Sequence, residues 1–230
     1  MEPRQVASAG QSWLSMVLRS LGHRNFRLFF GGQLVSLTGT WMQQIAISWL
    51  VYRLTDSPLL LGVVVFSGQV PTFLLASFAG VIADRSNRHR ILIITQTLAM
   101  IQALVLTVIV FSGSVQVWHI IALSAFIGIV NAFDIPTRQA FFIEMIEKKE
   151  DLGNAIALNS SIVNSARFLG PTIGGLVIAG FGEGVCFLVN GLSYMAVLAA
   201  LLAMRIKYEK KAASDRHILS ELKEGFQYAY

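Results

Sequence analysis

Charged residues are scarce in this sequence. They make up 13% of its 230 residues, whereas hydrophobic residues make up 54%. A typical soluble domain carries nearly twice that fraction of charge. A large soluble helical core is therefore the weaker interpretation, and the composition favours a protein embedded in a membrane.

Cysteine and catalytic motifs are equally scarce. Cys186 is the single cysteine, so no internal disulfide can form, and we expect this residue to pack as a small apolar side chain. The sequence has no P-loop, no H-E-x-x-H, no Cys/His metal cluster and no nucleophile elbow. We therefore expect a protein that is not an enzyme and that has no cofactor and no bound metal. Residues 1–12 are polar and the first apolar block is too long for the apolar region of a signal peptide, so we expect no cleavable signal at the start.

Long apolar blocks are abundant. Six blocks each reach the length of about 20 residues that a helix needs to cross a bilayer, and none alternates as a barrel strand would. We predict membrane-spanning helices at 28–51, 60–82, 91–111, 117–136, 155–179 and 185–204. The predicted fold class is an all-α membrane protein, with a bundle at 28–204 between flanking segments at 1–27 and 205–230.

The basic residues indicate how the bundle is oriented. A net charge of +5 could indicate nucleic-acid binding, but every Lys and Arg except Arg53 and Arg167 falls on one side of the predicted bundle. Loops rich in Lys and Arg face the cytoplasm. We therefore expect both termini in the cytosol, the bilayer of the cell membrane as a partner, and no nucleic acid. Residues 12–24 are typical of an amphipathic helix on the inner membrane face, and 205–230 of a linker.

The charges between the second and third spans form a compact group, in the stretch "GVIADRSNRHRIL" at 80–92. Its notable residues are Gly80, Asp84, Arg85, Arg88 and Arg90. Glycine near the end of a span allows close helix approach. A carboxylate at the membrane boundary is costly unless it is paired. We predict a charge lock that can break when the protein changes conformation.

This loop resembles the motif G-x-L-A-D-R-x-G-R-K-x-x-L of the major facilitator superfamily of secondary transporters. Asn87 replaces the usual glycine, for which it is suited because Asn tolerates a left-handed turn, and His89 replaces the usual Lys or Arg. The stretches 39–62, 131–146 and 166–180 are similar to the exporter branch that includes the enterobactin exporter and macrolide efflux proteins. The resemblance implies a 3+3 inverted-repeat bundle, the N-terminal half of a twelve-helix fold. We therefore expect a fragment or a truncated reading frame.

A second motif lies in the fifth span. Gly170, Pro171, Gly174 and Gly175 match the exporter pattern G-x-x-x-G-P-x-x-G-G, with Ala166 in place of the first glycine. The resemblance implies a segment at the interface between the two halves. The alternative is a general packing face of small residues.

Arg167 is a cation near the middle of the fifth span. An arginine at the bilayer centre costs at least about 2.5–3.5 kcal/mol unless it faces protein or water. We predict a pair between Asp134 and Arg167, supported by hydrogen bonds from Asn131 and Asn164. Both a static ion pair and a moving coupling element remain open.

Polar residues form a stripe along the first span, at Gln33, Thr40, Gln44 and Ser48. The resemblance implies that the first and fourth spans line a central cavity. The candidate substrate contacts are Trp41, Gln43, Gln44, Asn131 and Asn164. Hydrogen bonds between spans, and a packing or lipid-facing role for Trp41, are the alternatives.

The resemblance implies an exporter of a small amphipathic or aromatic compound that works by alternating access and is coupled to protons. Its partners are the small-molecule substrate and a second six-helix half, from the same gene or another chain. One alternative is a non-transporting or half-size membrane protein that must pair with another six-span chain. The membrane domain of an ATP-driven pump is less favoured, because the loop 83–90 is too short to reach an ATPase.

Overall fold

The computed structural model describes residues 19–146 and 149–205. Within those ranges the secondary structure is helical throughout, with six long α-helices and two short 3₁₀ turns at Arg19–Gly22 and Lys149–Asp151. The α-helices are α1 (Arg24–Thr55), α2 (Pro58–Arg85), α3 (Arg88–Phe111), α4 (Val117–Glu144), α5 (Leu152–Phe181) and α6 (Glu183–Ala203). Residues 12–18 of the predicted amphipathic helix at 12–24 lie outside the described residues, and its described part, 19–24, contains the 3₁₀ turn and the first residue of α1. The predicted linker at 205–230 lies almost wholly outside the described residues.

Local sequence signals explain where the helices begin and end. α1 ends at Asp56, whose φ of 47° is left-handed. Ser57 then caps α2, since its hydroxyl accepts a hydrogen bond from the Leu60 amide, and Pro58 occupies the first turn, where no amide hydrogen is needed. Gly182, with φ of 84°, separates α5 from α6 in a conformation that favours glycine. The helix ends at residues 56–58 and at Gly182 therefore lie close to the ends of the predicted spans.

The helices pack in pairs that reflect an internal repeat. α1 packs against α5 and α6, α2 packs against α4, and α3 packs against α4 and α6. Exchanging α1–α3 with α4–α6 converts four of these five pairs into another member of the same set and leaves the pair α3–α6 unchanged. This pattern is the one that two inverted three-helix repeats produce.

α2 and α4 approach each other closely. A Cβ atom added to Gly128 would collide with the backbone carbonyl of Gly68. The Thr72 hydroxyl also donates a 2.8 Å hydrogen bond to the Gly128 carbonyl oxygen across the same crossing. Small residues therefore bring these two backbones together, as is common between helices in lipid.

Five of the six helices, α2 to α6, are long and apolar enough to cross a membrane by length and composition. α1 is not among them, although it is the longest at 32 residues. Its polar residues include Gln33, Ser36 and Gln43, which point into the bundle and are buried. The predicted all-α membrane class is confirmed. α1 begins at Arg24, ahead of the predicted start of the bundle at residue 28.

Candidate functional site

A cavity of about 210 Å³ opens between α1, α2 and α4, with one side chain contributed by α6. Three of the candidate substrate contacts, Gln43, Gln44 and Asn131, line it. The remaining lining residues are a mixture of polar and apolar side chains. They are Thr40, Ile47, Ser48, Val51, Leu61, Val64, Val65, Gly68, Gln69, Ser124, Ile127 and Tyr194. The cavity can therefore offer hydrogen bonds and apolar contact to the same solute.

The side-chain amide of Gln43 forms hydrogen bonds within the bundle. Its side-chain nitrogen donates to the Gln102 side-chain oxygen at 3.1 Å, and its own oxygen accepts from Asn190 at 2.8 Å. The Gln43 amide thus links α1, α3 and α6. Hydrogen bonding between spans was the alternative to substrate contact that the sequence left open. Gln44 and Asn131 differ, since neither side chain donates or accepts a hydrogen bond within the described part of the chain. These two amides are available to a solute.

Gln69 and Tyr194 are among the lining residues that were not predicted from the sequence. Gln69 projects from α2, and it is the one amide in the apolar block 60–82, a signal that could have identified it. Tyr194 comes from α6, with its hydroxyl 3.3 Å from the Thr40 hydroxyl. Nothing in the local sequence distinguishes this tyrosine, because its place in the cavity depends on how α6 packs against α1.

The predicted pair between Asp134 and Arg167 is wrong. Asp134 is buried, and one of its oxygens accepts 2.7 Å hydrogen bonds from Thr95 and Gln96, while the other lies 3.1 Å from Arg138 one turn along α4. Arg138 also donates to Gln33 at 3.2 Å. The physical reason is the packing order: α4 faces α2 and α3, whereas α5 packs against α1.

Arg167 instead lies over the indole of Trp41, with the guanidinium carbon 5.0 Å from the ring centroid, within cation–π range. Trp41 and Asn164 are therefore not cavity-lining residues, in contrast to the prediction. The Asn164 side chain donates to the Ser160 carbonyl of its own helix at 2.9 Å. It does not support an ion pair.

Arg88 is the centre of the predicted lock. Its guanidinium bonds both the Asp84 carboxylate at 2.6 Å and the Glu144 carboxylate at the end of α4. The arginine side chain is 12% exposed, whereas Asp84 is 71% exposed. The sequence did not identify Glu144, because nothing local relates this acid to the loop.

The neighbours of Arg88 depart from expectation in two ways. Asn87 is extended, with φ of −72° and ψ of 102°, and its side chain caps α3 by accepting from the Arg90 amide. It therefore adopts no left-handed turn. Gly80 faces open space, since a Cβ there would meet no described atom within 4 Å, so it mediates no close helix approach among residues 19–146 and 149–205. Arg85 and Arg90 are exposed at the same end of the bundle.

His89 turns inward rather than taking a cationic place at the surface. Its Nε2 lies 2.8 Å from the Leu201 carbonyl oxygen near the end of α6. The ring also lies 5.9 Å from the Phe141 ring on α4. His89 therefore joins α3 to the ends of two other helices.

The glycine motif of α5 is divided between two faces. A Cβ on Gly170 would lie 2.5 Å from the Trp41 Cβ, and one on Gly174 would lie 2.7 Å from an Ile45 methyl. Both glycines therefore pack against α1 inside this bundle, which is the general packing role. Gly175 is exposed and its Cβ would touch nothing within 4 Å. A role at the interface between halves stays a prediction for Gly175 and for Pro171.

A further ion pair closes the opposite end of the bundle from Arg88. Arg53, in the last turn of α1, bonds Glu183 at the start of α6 through two contacts of 2.8 and 3.2 Å. The glutamate side chain is buried at 8% exposure. These two residues are far apart along the chain, and nothing local in the sequence indicates that they pair.

Together, the long apolar helices, the inverted repeat and the cavity with its mixed polar and apolar lining define a multi-pass helical membrane protein with the six-helix half fold of the major facilitator superfamily. The family model MFS_3, described as transmembrane secretion effector, matches residues 16–230. The chain belongs to that family.

Three curated relatives are similar to most of this chain. They are the staphyloferrin A transporter of Staphylococcus aureus, 29% identical over 80% of this chain and 46% of the relative; the multidrug efflux pump Tap of Mycolicibacterium fortuitum, 25% identical over 80% and 45%; and macrolide efflux protein A of Streptococcus pyogenes, 22% identical over 87% and 50%. The chain thus spans about half the length of the curated relatives it matches.

Proposed function

We propose that this chain is half of an exporter that moves small amphipathic or aromatic compounds across the cell membrane by alternating access. The observation that carries the proposal is the mixed cavity lining. Gln44, Gln69 and Asn131 offer amide groups, while Ile47 and Val64 supply an apolar wall. A site with a few polar groups on an apolar surface suits solutes of that kind. The names of two relatives, a multidrug efflux pump and a macrolide efflux protein, support transport in the outward direction.

A second six-helix half, from the same gene or from another chain, completes the site. A cavity of about 210 Å³ is smaller than the range of about 300–1,000 Å³ usual for drug-sized ligands. Only 6% of the most apolar part of α2 is buried, against 50% of α6. α2 therefore presents a broad apolar surface to lipid or to another helix bundle. The alternative proposal, a half-size protein that must pair with another six-span chain, is favoured by the same exposure.

The end of the bundle that carries Arg88 faces the cytoplasm in this proposal. Arg85, Arg88 and Arg90 lie there, as does Arg138 at the same end of α4, in agreement with the positive-inside rule. The two carboxylates that hold Arg88 are both well exposed, so each contact contributes only about 0–1 kcal/mol. Weak contacts of this kind can be exchanged when the bundle rocks, which is what a lock between conformations requires.

Coupling to protons is proposed for Asp134. It is a buried acid on α4, one of the helices that line the cavity, and it accepts hydrogen bonds from Thr95 and Gln96 while it contacts Arg138. Protonation would remove the charge that Arg138 balances and free that arginine to move. Proton release on addition of an exported compound to proteoliposomes, absent in Asp134→Asn, would support this role.

The test of the proposed function is energy-dependent efflux of a compound panel from intact cells. Gln44→Leu and Gln69→Leu should change which compounds are exported, because they remove amides from the cavity. Gln139→Leu is the matched control, an exposed amide outside the lining. Failure of the unaltered protein to export any compound, or identical profiles for all variants at equal protein level, would overturn the proposal.

A further inference from the structure

The charges inside the bundle do not balance. Arg167 lies at the centre of α5, which runs from Leu152 to Phe181. In the described ranges its guanidinium donates no hydrogen bond and contacts no carboxylate. The two buried acids within the helices are already engaged, Asp134 by Arg138 and Glu183 by Arg53. A cation at this depth requires water or an anion beside it.

The position of Arg167 places it beside the cavity. Trp41, over which it lies, is spaced three and seven residues from Gln44 and Ser48, so the three share one face of α1. Gln44 and Ser48 line the cavity. On α5, Asn164 and Gly175 are exposed on the same side as Arg167, because their spacings are three and eight residues. The guanidinium therefore lies on the open face that continues from the cavity wall.

We propose that Arg167 and Trp41 form an anion-binding subsite beside the cavity, on the open face that adjoins its wall, so that the exported compounds carry an oxyanion, such as a carboxylate, attached to an aromatic or apolar body. The Trp41 indole face contacts the Arg167 guanidinium from one side. The N–H groups of the guanidinium remain free to bind two oxygens of one planar anion. The adjoining amide and apolar lining receives the rest of the molecule. This inference deepens the proposed function and rests on it.

The first test measures the local potential and needs no knowledge of the substrate. In the full-length protein without other reactive cysteines (Cys186→Ala in this chain), Asn164→Cys is labelled by methanethiosulfonate reagents that carry either a sulfonate or a trimethylammonium group. Each rate is divided by the same reagent's rate with a small free thiol. The anionic reagent should be favoured about tenfold, and Arg167→Gln should abolish the preference.

The same labelling experiment provides a control position and the results that would contradict the proposal. Gly175→Cys lies two turns along the same exposed face, so its preference should depend much less on Arg167. If an acid of the second half neutralises Arg167, the Cys at 164 shows no preference, and Arg167→Gln creates a preference for the cationic reagent. That result, or a Cys that neither reagent reaches, overturns the subsite.

The second test uses transport of a matched pair, 1-naphthoate and its neutral amide, together with the compound panel. Exported compounds should be predominantly anionic, and Arg167→Gln should lower their efflux at least about tenfold while Arg167→Lys keeps part of it. Export restricted to cations or neutral compounds overturns the subsite and leaves the exporter intact. Absence of all export overturns the proposed function, and the labelling preference then decides the anion site separately.

Discussion

The carboxylate of Asp134 and the guanidinium of Arg138 lie 3.1 Å apart, one helical turn from each other on α4. The acid is almost completely buried, and the arginine is 26% exposed. Because Thr95 and Gln96 also donate to this carboxylate, it organises α3 and α4 at the end of the bundle where Arg88 lies.

Asp134→Ala should destabilise the protein by about 3 kcal/mol, since it leaves the half-buried Arg138 guanidinium without its carboxylate and the buried Gln96 amide without its acceptor. The double variant Asp134→Ala/Arg138→Leu should recover at least about 1 kcal/mol relative to the sum of the single variants. Unfolding in detergent micelles measures both quantities. Asp84→Ala is the control and should cost at most about 1 kcal/mol, because that carboxylate is largely exposed. Additive single effects would contradict the coupling.

Gly170→Ala should be destabilising by about 1–3 kcal/mol. The new methyl group would lie 2.5 Å from the Trp41 Cβ and 2.9 Å from the Thr38 carbonyl oxygen, so α1 and α5 would have to separate. Gly175→Ala, one turn further on, meets nothing within 4 Å and should be neutral or stabilising by up to about 1 kcal/mol. Thermal unfolding of the two purified variants compares them, and equal midpoints would show that the glycines of α5 do not set its distance from α1.

Removing Arg53 and removing the charge of Glu183, the ion pair at the end of the bundle opposite Arg88, should lower the stability of the protein by different amounts. Arg53→Ala leaves the Glu183 carboxylate buried without its cation, whereas Glu183→Gln leaves an arginine that is 53% exposed and can be hydrated. We expect a loss of about 1–3 kcal/mol for Arg53→Ala and less for Glu183→Gln. The midpoints of thermal unfolding give the order. An equal or reversed order would mean that burial of the glutamate does not control the stability of this contact.

Gln43 and Gln44 are neighbours in sequence with different tasks, and their variants should separate stability from transport. Gln43→Ala removes hydrogen bonds to Gln102 and Asn190 and should cost about 1–3 kcal/mol. Gln44→Ala breaks no side-chain hydrogen bond within the described residues and should leave the unfolding midpoint nearly unchanged while it alters efflux. Measuring both properties on both variants is decisive, and a stability loss confined to Gln44→Ala would refute the assignment.

Much of the architecture could be predicted from the sequence, because it depends on local properties. Apolar blocks of sufficient length become helices in lipid, and Ser57, Asn87 and Gly182 mark where helices begin or end. Of the predicted polar stripe on α1, Thr40, Gln44 and Ser48 border the cavity, whereas Gln33 is buried and accepts a hydrogen bond from Arg138. Helical periodicity assigned these residues to a face, and the cavity itself was implied by the family resemblance.

Only the tertiary structure decided which polar groups meet. Asp134 binds Arg138 rather than Arg167, Arg88 reaches Glu144, and Gly170 packs inside the bundle while Gly175 remains open. Each of these outcomes depends on which helices are neighbours and how each is rotated about its axis, properties that arise from the packing of the whole chain. A charge carries no local mark of its partner, because Coulomb attraction depends on the final distance between groups and not on their separation in sequence.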